Sequence, residues 1–367
     1  MGFASLRFSN YRNLENESIT FSSEQIFLIG ENGQGKTNCI EALYSLCYGS
    51  SFRTHNDRDI IKLDEDTSYV VGTIVDEESS EQDICVSLFA NKKKEILVNG
   101  KKIHDRKDLL QIIPCVVFSH DDLEFIKGTP ASKRKFFNQT LCLYDIYYLD
   151  ALRNYSKVVS ARNLLLKQRK NELLDVYTHQ VAEIGFHIQM QRREMIEKFN
   201  IVFRDYFKKV SRLPGEISIV YSPSWKQTES YETAMSIMNK SINRDMQYGT
   251  TTTGPHRDTF LFLYDGKDFC SIGSTGQLRL LSIILRVAQA HFFHEYTGKK
   301  PLLLLDDVLL ELDKKRRELF VNNLPEYEQA FFTFLPDEDY NAFKRDTTEI
   351  FRVEKGRFRL WTKQDIF

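Results

Sequence analysis

One eight-residue string constrains the fold of this chain more than any other feature. Residues 30–37 read GENGQGKT and match the pattern G-x-x-x-x-G-K-[ST] at every fixed position. An apolar run at 26–29 leads into the string, and Ile40, Leu43 and Cys47 follow it with the spacing of one helix face. A glycine-rich turn without a ligand would also fit the string, but this strand–loop–helix context favours a phosphate-binding loop in an α/β fold.

The residues of this loop have distinct chemical roles. Its glycines let the backbone curl so that successive N–H groups converge on phosphate oxygens. Lys36 is expected to neutralise the terminal phosphates of ATP, and the hydroxyl of Thr37 is expected to bind Mg²⁺. The ATP-binding residues predicted in this segment are Gly30, Glu31, Asn32, Gly33, Gln34, Gly35, Lys36, Thr37 and Asn38.

A second element of the site follows an apolar run late in the chain. Leu302–Leu305 reads as a buried strand, and Asp306 and Asp307 come directly after it. Ligands of parallel α/β sheets sit at the carboxyl ends of the strands. Asp306 is therefore expected to hold Mg²⁺, and Asp307 to orient or deprotonate the attacking water. A core strand followed by a polar turn is the plainer alternative.

A third element is the string STGQ at 274–277, which precedes a long apolar helix. Ser274, Gly276 and Gln277 would present backbone donors and the positive end of the helix dipole to an anion. An ordinary helix cap explains the same residues. Arg12 and Asn13, just after the first predicted strand, complete the predicted ATP-binding set, although a surface turn fits them equally well.

Charge is segregated along the chain. The formal net charge is −1, yet the segment 127–212 holds 17 Lys and Arg against 8 Asp and Glu. One candidate DNA surface is a hairpin signalled by Asn99-Gly100; it comprises Arg53, Lys92, Lys93, Lys94, Lys101 and Lys102. The other is the helical middle, with Lys133, Arg134, Lys135, Arg192, Arg193, Lys208 and Lys209. A solvated face explains each cluster as well, and no base-reading motif is visible.

Length and composition bound the remaining possibilities. The 367 residues suggest two domains, and no apolar run approaches the roughly 20 residues of a membrane helix. The six cysteines form no CxxC pair, so free thiols in a reducing cytoplasm are expected. The predicted architecture is an α/β ATPase domain formed by residues 1–120 and 245–367, with an inserted helical lobe at 121–244.

The order of these motifs resembles the ATP-binding-cassette ATPases of the SMC and Rad50 type. Within that superfamily, several strings resemble the RecF family of recombination-repair ATPases; they are NYRN (10–13), GENGQGKTN (30–38) followed by Glu41-Ala42, SFRT (51–54), VVFSHDDLEFIKGTP (116–130), GPHRD (254–258), STGQLR (274–279) and LLLDDVLLELD (303–313). GPHRD and SFRT discriminate best, because a general cassette ATPase has no need of them.

The resemblance implies a P-loop ATPase that binds DNA as an ATP-dependent homodimer, in which Ser274 contacts the γ-phosphate bound by the opposite copy. It also implies roles in repair of single-strand gaps, recombination, replication and the SOS response, with partners of the RecR, RecO and RecA types, and it favours the hairpin lysines as the DNA surface. The expected enzyme is a weak, DNA-stimulated ATPase, since Ser119-His120 and Phe332-Thr333 stand where many cassette ATPases carry a glutamine and a switch histidine.

Two other functions use the same phosphate site. The chain could be the ATPase subunit of a membrane transporter, or a small-molecule kinase or other nucleotide switch. The helical insertion and the RecF-like strings argue against a transporter, and a kinase has no use for a serine that contacts the γ-phosphate of another copy. The sequence gives no physical account of His256 and Arg257 in GPHRD.

Overall fold

The computed structural model divides into two compact units. Unit 1 comprises Met1–His120 and Phe293–Phe367, and unit 2 comprises Asp121–Phe292. The structure describes residues 2–75, 79–91, 93–170 and 172–361. The first boundary lies where the sequence placed the start of the inserted lobe, whereas the second lies at 292/293 instead of 244/245.

Strands outnumber helices in both parts of unit 1, and helices dominate unit 2. Up to residue 120 the elements are β1 Gly2–Ser9, β2 Glu17–Thr20, β3 Gln25–Ile29, α1 Lys36–Tyr48, β4 Thr67–Val75, β5 Glu81–Phe89, β6 Lys94–Val98, β7 Lys101–Lys102, α2 Lys107–Ile112 and β8 Cys115–Phe118. There follow α3 Glu124–Lys127, α4 Pro130–Tyr144, α5 Ile146–Gln168, α6 Leu174–Ser211, β9 Ile217–Ser222, α7 Tyr231–Tyr248, β10 Thr259–Tyr264, β11 Lys267–Asp268, α8 Phe269–Ile272 and α9 Thr275–Thr297. The last elements are β12 Leu302–Leu305, α10 Lys314–Asn322, β13 Gln329–Phe334, β14 Glu349–Glu354 and β15 Arg357–Leu360.

Unit 1 contains two six-stranded sheets. One is antiparallel, with the order β2-β1-β4-β5-β6-β7, and its β6–β7 hairpin turns at Asn99 and Gly100, both of positive φ, as the sequence predicts. The other has the order β15-β14-β3-β13-β12-β8, and its five strands from β14 to β8 are parallel. This order places the carboxyl ends of β3, β13 and β12 side by side, which is where the predicted site residues follow their strands.

Helix α1 packs against both sheets. Its residues Ile40, Leu43 and Leu46 are fully buried in a core that also takes side chains from each sheet. On the antiparallel side the helix comes close to β4 at Gly72, where a Cβ would lie 2.6 Å from Leu46 and from Phe3. The absence of a side chain at this position therefore permits the close packing that holds the phosphate loop, at the start of α1, against the core.

Unit 2 is built around α6, a helix of 38 residues that is about 57 Å long. It packs against α5, α7 and β9, and aromatic side chains fill the interior; Phe137, for example, stacks on Phe260 with ring centroids 4.2 Å apart. None of the described helices is long and apolar enough to cross a membrane.

The second unit boundary differs from the predicted one because residues 245–292 bind to the helical segment. β10 pairs with β9 along its whole length. Buried ion pairs join Asp258 to Arg192 and Arg286 to Asp122. These contacts are between residues distant in sequence, so neither composition nor periodicity reveals them.

Candidate functional site

The phosphate loop lies between the central strand β3 and the amino end of α1. Gly33 and Gly35 have φ values of 77° and 115°, which are accessible to glycine at little cost. At Gly30 a Cβ would lie 2.3 Å from the carbonyl oxygen of Val353, so the fold leaves room for glycine alone. Gln34 fixes the far side of the loop by accepting the Gly356 N–H at 2.9 Å through its carbonyl. The loop thus has a curvature set by the fold itself.

The side chain of Lys36 bonds back to the start of the loop. Its ammonium group donates to the carbonyl oxygens of Gly30 at 2.6 Å and Glu31 at 3.0 Å, and the residue is 4% exposed. Lys36 is also the first residue of α1, and a cation at the amino end of a helix provides the positive potential that a phosphate anion requires.

Thr37 and Asp306 meet although they are 269 positions apart. The threonine hydroxyl donates to the carboxylate at 2.9 Å, and Asp306 is 8% exposed at the end of β12. Burial and the neighbouring Asp307 raise the pKa of Asp306 to about 7, against the lowering effects of Thr37, Arg53 and Lys36. A hydroxyl and a carboxylate oxygen are the donors that Mg²⁺ prefers, so this pair fits the predicted metal.

Asp307 is held in an unusual backbone conformation. Its φ is 53°, a left-handed value that costs a residue with a Cβ roughly 1 kcal/mol. Its N–H donates to the Thr333 hydroxyl at 2.7 Å, and that hydroxyl donates to the Asp307 carboxylate at 2.9 Å. Thr333 therefore stands beside Asp307, in the region where the sequence comparison with cassette ATPases looks for a switch histidine.

Arg12 binds a carboxylate that the sequence prediction left out. Its guanidinium donates to both oxygens of Glu41, at 2.9 and 2.8 Å, and also to the carbonyl oxygen of Asp59. Glu41 lies on α1 and is fully buried, and it also accepts a hydrogen bond from Ser51. In the sequence Glu41 is one of the residues that resemble the RecF family, but nothing there pairs it with Arg12.

Asn13 and Arg53 reach the same helix. Asn13 donates to the Gly33 carbonyl at 2.8 Å and accepts a hydrogen bond from Asn38 at 2.6 Å. Arg53 donates a hydrogen bond to the side-chain oxygen of Asn38 at 2.8 Å. Its guanidinium also lies 3.5 Å from the Glu41 carboxylate. Arg53, predicted to contact DNA, is therefore placed beside the phosphate loop and acts electrostatically on Asp306.

The hairpin lysines differ in their surroundings. Lys94 binds Asp57 at 2.8 Å and the Gly49 carbonyl at 3.1 Å, and Lys102 binds Glu95 at 2.9 Å. Lys93 lies over the Phe89 ring, whereas Lys101 is exposed with no side-chain partner among the described residues. Lys92 lies outside the described residues.

The alternative DNA surface in the helical segment includes one residue that cannot serve. Arg192 is 2% exposed and forms an ion pair with Asp258 at 2.7 Å, so it is unavailable to an external phosphate. This part of the prediction is wrong, because a run of charges in the sequence does not show which member faces inward.

Ser274 and Gln277 form a reciprocal cap at the start of α9. The Ser274 N–H donates to the Gln277 side-chain oxygen at 2.8 Å, and the Gln277 N–H donates to the Ser274 hydroxyl at 3.3 Å. Gly276 lies between them, and a Cβ there would meet nothing within 4 Å. Neither local packing nor a positive φ in the structure requires this glycine, although alanine would favour the helix by about 1 kcal/mol.

Comparison with known proteins gives consistent matches over nearly the whole chain. A family model described as the RecF/RecN/SMC N-terminal domain matches residues 3–358. The DNA replication and repair protein RecF of Treponema pallidum is 39% identical over 95% of this chain and 98% of its own length. RecF of Leptospira interrogans is 33% identical over 96% of this chain and 97% of its own length.

Solved structures agree with these matches. The recombination mediator protein RecF-ATP of the RecFOR pathway has a TM-score of 0.89 and 30% identity, and the match covers 98% of each chain. An SMC head bound to the C-terminal winged-helix domain of ScpA has a TM-score of 0.58 and 15% identity, covering 98% of this chain and 97% of that one. The SMC head shows the fold alone.

Proposed function

This chain belongs to the RecF family, and on that premise we propose that it is an ATP-dependent DNA-binding dimer that acts in recombinational repair of single-strand gaps and in replication. The observation that carries the proposal is the contact between Thr37 of the phosphate loop and Asp306 of β12. It joins the two halves of a nucleotide site from opposite ends of the sequence. Family membership supports ATPase activity, and a RecF relative of known structure is described as RecF-ATP.

The phosphate loop and its supports bind the nucleotide. Lys36 and the backbone N–H groups of the loop would neutralise the triphosphate, and Thr37 and Asp306 would hold Mg²⁺, a Lewis acid for the phosphate chemistry. Asn13 and Asn38 hold the loop in place through their hydrogen bonds to Gly33 and to each other. Arg12 and Arg53 both lie beside the Glu41 carboxylate. The partly buried Asp307 would orient the attacking water.

Hydrolysis is expected to be slow. The Asp307 side chain accepts a hydrogen bond from Thr333, and a threonine hydroxyl cannot take up a proton at neutral pH in the way that a histidine does. Slow turnover fits a protein whose ATP-bound state persists on DNA and whose release is timed by hydrolysis.

The second copy completes the site through the start of its α9. In the reciprocal cap the Ser274 hydroxyl accepts one hydrogen bond and keeps its proton to donate to a phosphate. Gly276, with open space around its Cα, lets a phosphate of the opposite copy approach the backbone closely. One ATP would then be bound by Lys36 of one copy and by Ser274 of the other.

DNA contacts are proposed for the hairpin cluster, chiefly the exposed Lys101 with Lys93 and Lys102; the sequence adds Lys92, which lies outside the described residues. Phosphate contacts of this kind provide affinity without sequence preference. Partners of the RecO and RecR types are proposed because the structural relative is named as a member of the RecFOR pathway, and a partner of the RecA type is proposed from the family resemblance alone. The transporter and kinase alternatives have no support from the two curated relatives described above, which are RecF proteins matched over 98% and 97% of their own lengths.

Sedimentation velocity tests this proposal. The purified chain should sediment as a monomer without nucleotide and as a dimer with Mg²⁺ and a non-hydrolysable ATP analogue. A fluorescent duplex of about 30 base pairs should bind to the dimer, more weakly as salt rises. A chain that remains monomeric at saturating nucleotide, with and without duplex, would overturn the proposal.

A further inference from the structure

The GPHRD segment forms a single rigid turn in unit 2. Pro255–Arg257 is a short 3-10 helix, closed by a hydrogen bond from the Arg257 N–H to the Gly254 carbonyl at 2.8 Å. Gly254 has a φ of 120°, and a Cβ there would lie 2.5 Å from the Tyr155 hydroxyl. The turn is therefore fixed against α5 by a position that only glycine can occupy.

His256 anchors the turn from inside. Its Nε2 lies 3.0 Å from the Thr251 carbonyl oxygen, and its Nδ1 lies 2.9 Å from the Tyr155 hydroxyl. Because a carbonyl can only accept, Nε2 carries the proton and Nδ1 accepts from the tyrosine. Burial lowers the pKa of His256 to about 4, although the Thr251 hydrogen bond opposes the shift, so the ring is neutral at pH 7.

Asp258 anchors the other end of the turn. Its buried carboxylate accepts hydrogen bonds from Arg192 at 2.7 Å, from the Tyr221 hydroxyl and from the Ser224 N–H at 2.8 Å. Arg192 also donates to the Pro255 carbonyl at 2.7 Å. Each end of the turn is thus held by a saturated network of buried polar groups.

One side chain of the turn is left outside this network. Arg257 is exposed, and its one side-chain hydrogen bond within the described part of the chain is a long contact of 3.4 Å to the Thr251 carbonyl. Beside it, Arg134 of α4 donates to the Asp258 carbonyl at 2.7 Å and is itself partly exposed. Two guanidiniums that are at least partly exposed therefore interact on unit 2, one carried by the rigid turn and the other by α4.

Positive charge exceeds negative charge at this point. Arg134, Arg192 and Arg257 are close enough to interact, and Asp258 is the carboxylate among them. Asp245, which acts electrostatically on His256, is itself bound by Arg162 at 2.8 Å. Burial, and then repulsion from Arg192 and Arg257, lower the pKa of Arg134 despite the attraction of Asp258. An anion seated on the outer face would relieve this repulsion.

We propose that Arg257 and Arg134 form a phosphate-binding site on unit 2, and that the buried network of GPHRD serves to present Arg257. Guanidinium groups bind phosphate oxygens in bidentate fashion, and a fixed turn reduces the entropy lost on binding. The phosphate belongs either to the DNA backbone or to the nucleotide. The identity of the phosphate source rests on the proposed function. The existence of the site rests on the geometry of the two arginines alone.

Arg257→Gln is the test variant, because the side chain is exposed and its removal leaves both anchors in place. Arg204→Gln is the matched control, since Arg204 is exposed on α6 with no side-chain partner among the described residues. The first arm measures dimerisation with the ATP analogue and no DNA; the second measures affinity of the preformed dimer for the same duplex at several salt concentrations.

A loss of about tenfold in dimerisation assigns the phosphate to the nucleotide. An unchanged dimer with about tenfold weaker duplex binding, and a salt slope smaller by about 0.9, assigns it to DNA. If Arg257→Gln matches Arg204→Gln in both arms, the site does not exist. If the wild-type chain neither dimerises nor binds DNA, the proposed function fails. The site is then tested by chemical modification: tripolyphosphate should protect Arg257, but not Arg204, from phenylglyoxal. Lack of protection overturns the site.

Discussion

His256→Gln should change how the stability of unit 2 depends on pH. Glutamine keeps a donor near the position of Nε2, which faces the Thr251 carbonyl, but it loses the acceptor for Tyr155 and does not titrate. The titratable and charged groups around the ring are Tyr155, Asp245, Arg257 and Arg134. These are unchanged in the variant, so their contributions largely cancel in the comparison.

The magnitude follows from the shift in pKa. The histidine has a pKa of 6.5 in the reference state and about 4 in the fold. Below pH 6.5 the unfolded chain gains a proton that the folded chain does not, so wild-type stability is fully present above this pH and is lost as pH falls toward 4. By pH 5 the loss amounts to about 2 kcal/mol. At pH 7.5 the variant should be less stable by about 1 kcal/mol, the contribution of the lost Tyr155 hydrogen bond.

Urea denaturation followed by tryptophan fluorescence measures this effect. Trp225 is fully buried in unit 2, and a Cβ at Gly254 would lie 3.2 Å from its ring, so it reports on the GPHRD turn. Trp361→Phe serves as the common background. The free energy of unfolding is compared between the chains with and without His256→Gln. Lowering the pH from 7.5 to 5 should change this difference by about 2 kcal/mol, in the direction that favours the glutamine variant. A difference that stays constant over this range would refute the neutral buried histidine.

Three further substitutions test the nucleotide site. Gly276→Ala should raise the thermal stability of the monomer by up to about 1 kcal/mol, because alanine favours the helix and meets no atom, while it weakens ATP-dependent dimerisation; equal dimerisation would show that no group approaches this position. Thr37→Val should reduce Mg²⁺-dependent ATP binding by roughly tenfold or more in a fluorescent-nucleotide titration, with Thr37→Ser close to wild type; an equal effect of both would exclude the hydroxyl as a ligand. Glu41→Gln should cost about 3 kcal/mol in urea denaturation because it leaves Arg12 without its buried counter-charge, and a cost under about 1 kcal/mol would contradict that role.

The parts of the fold that the sequence predicts are those in which local pattern and geometry coincide. The phosphate loop is contiguous, and its glycines meet conformational requirements that other residues cannot. β12 appears in the structure with the predicted bounds, Leu302–Leu305, because a fully buried parallel strand reads as an uninterrupted apolar run. The hairpin at Asn99-Gly100 was predictable for the same kind of reason.

What the sequence could not predict depends on contacts between distant residues. The approach of Arg53 to Asn38, and of Arg12 to Glu41, follows from packing around α1 and leaves no periodic signal. Arg192 and its neighbour Arg193 form one basic pair in the sequence, yet the first is buried against Asp258 while the second is partly exposed. The sequence shows that a residue is charged, but it does not show which residue binds it.

The claim that one triphosphate is shared by two copies is tested most directly by mixing two defective chains. Lys36→Ala lacks the loop cation, and Ser274→Ala lacks the hydroxyl offered to the opposite copy. In a mixed dimer, one of the two sites would combine an intact Lys36 with an intact Ser274. Equal amounts of the two variants with Mg²⁺ and ATP should therefore form mixed dimers and hydrolyse ATP well above the sum of the separate chains. A mixture that shows no more than this sum would place Lys36 and Ser274 in the same copy and contradict the shared site.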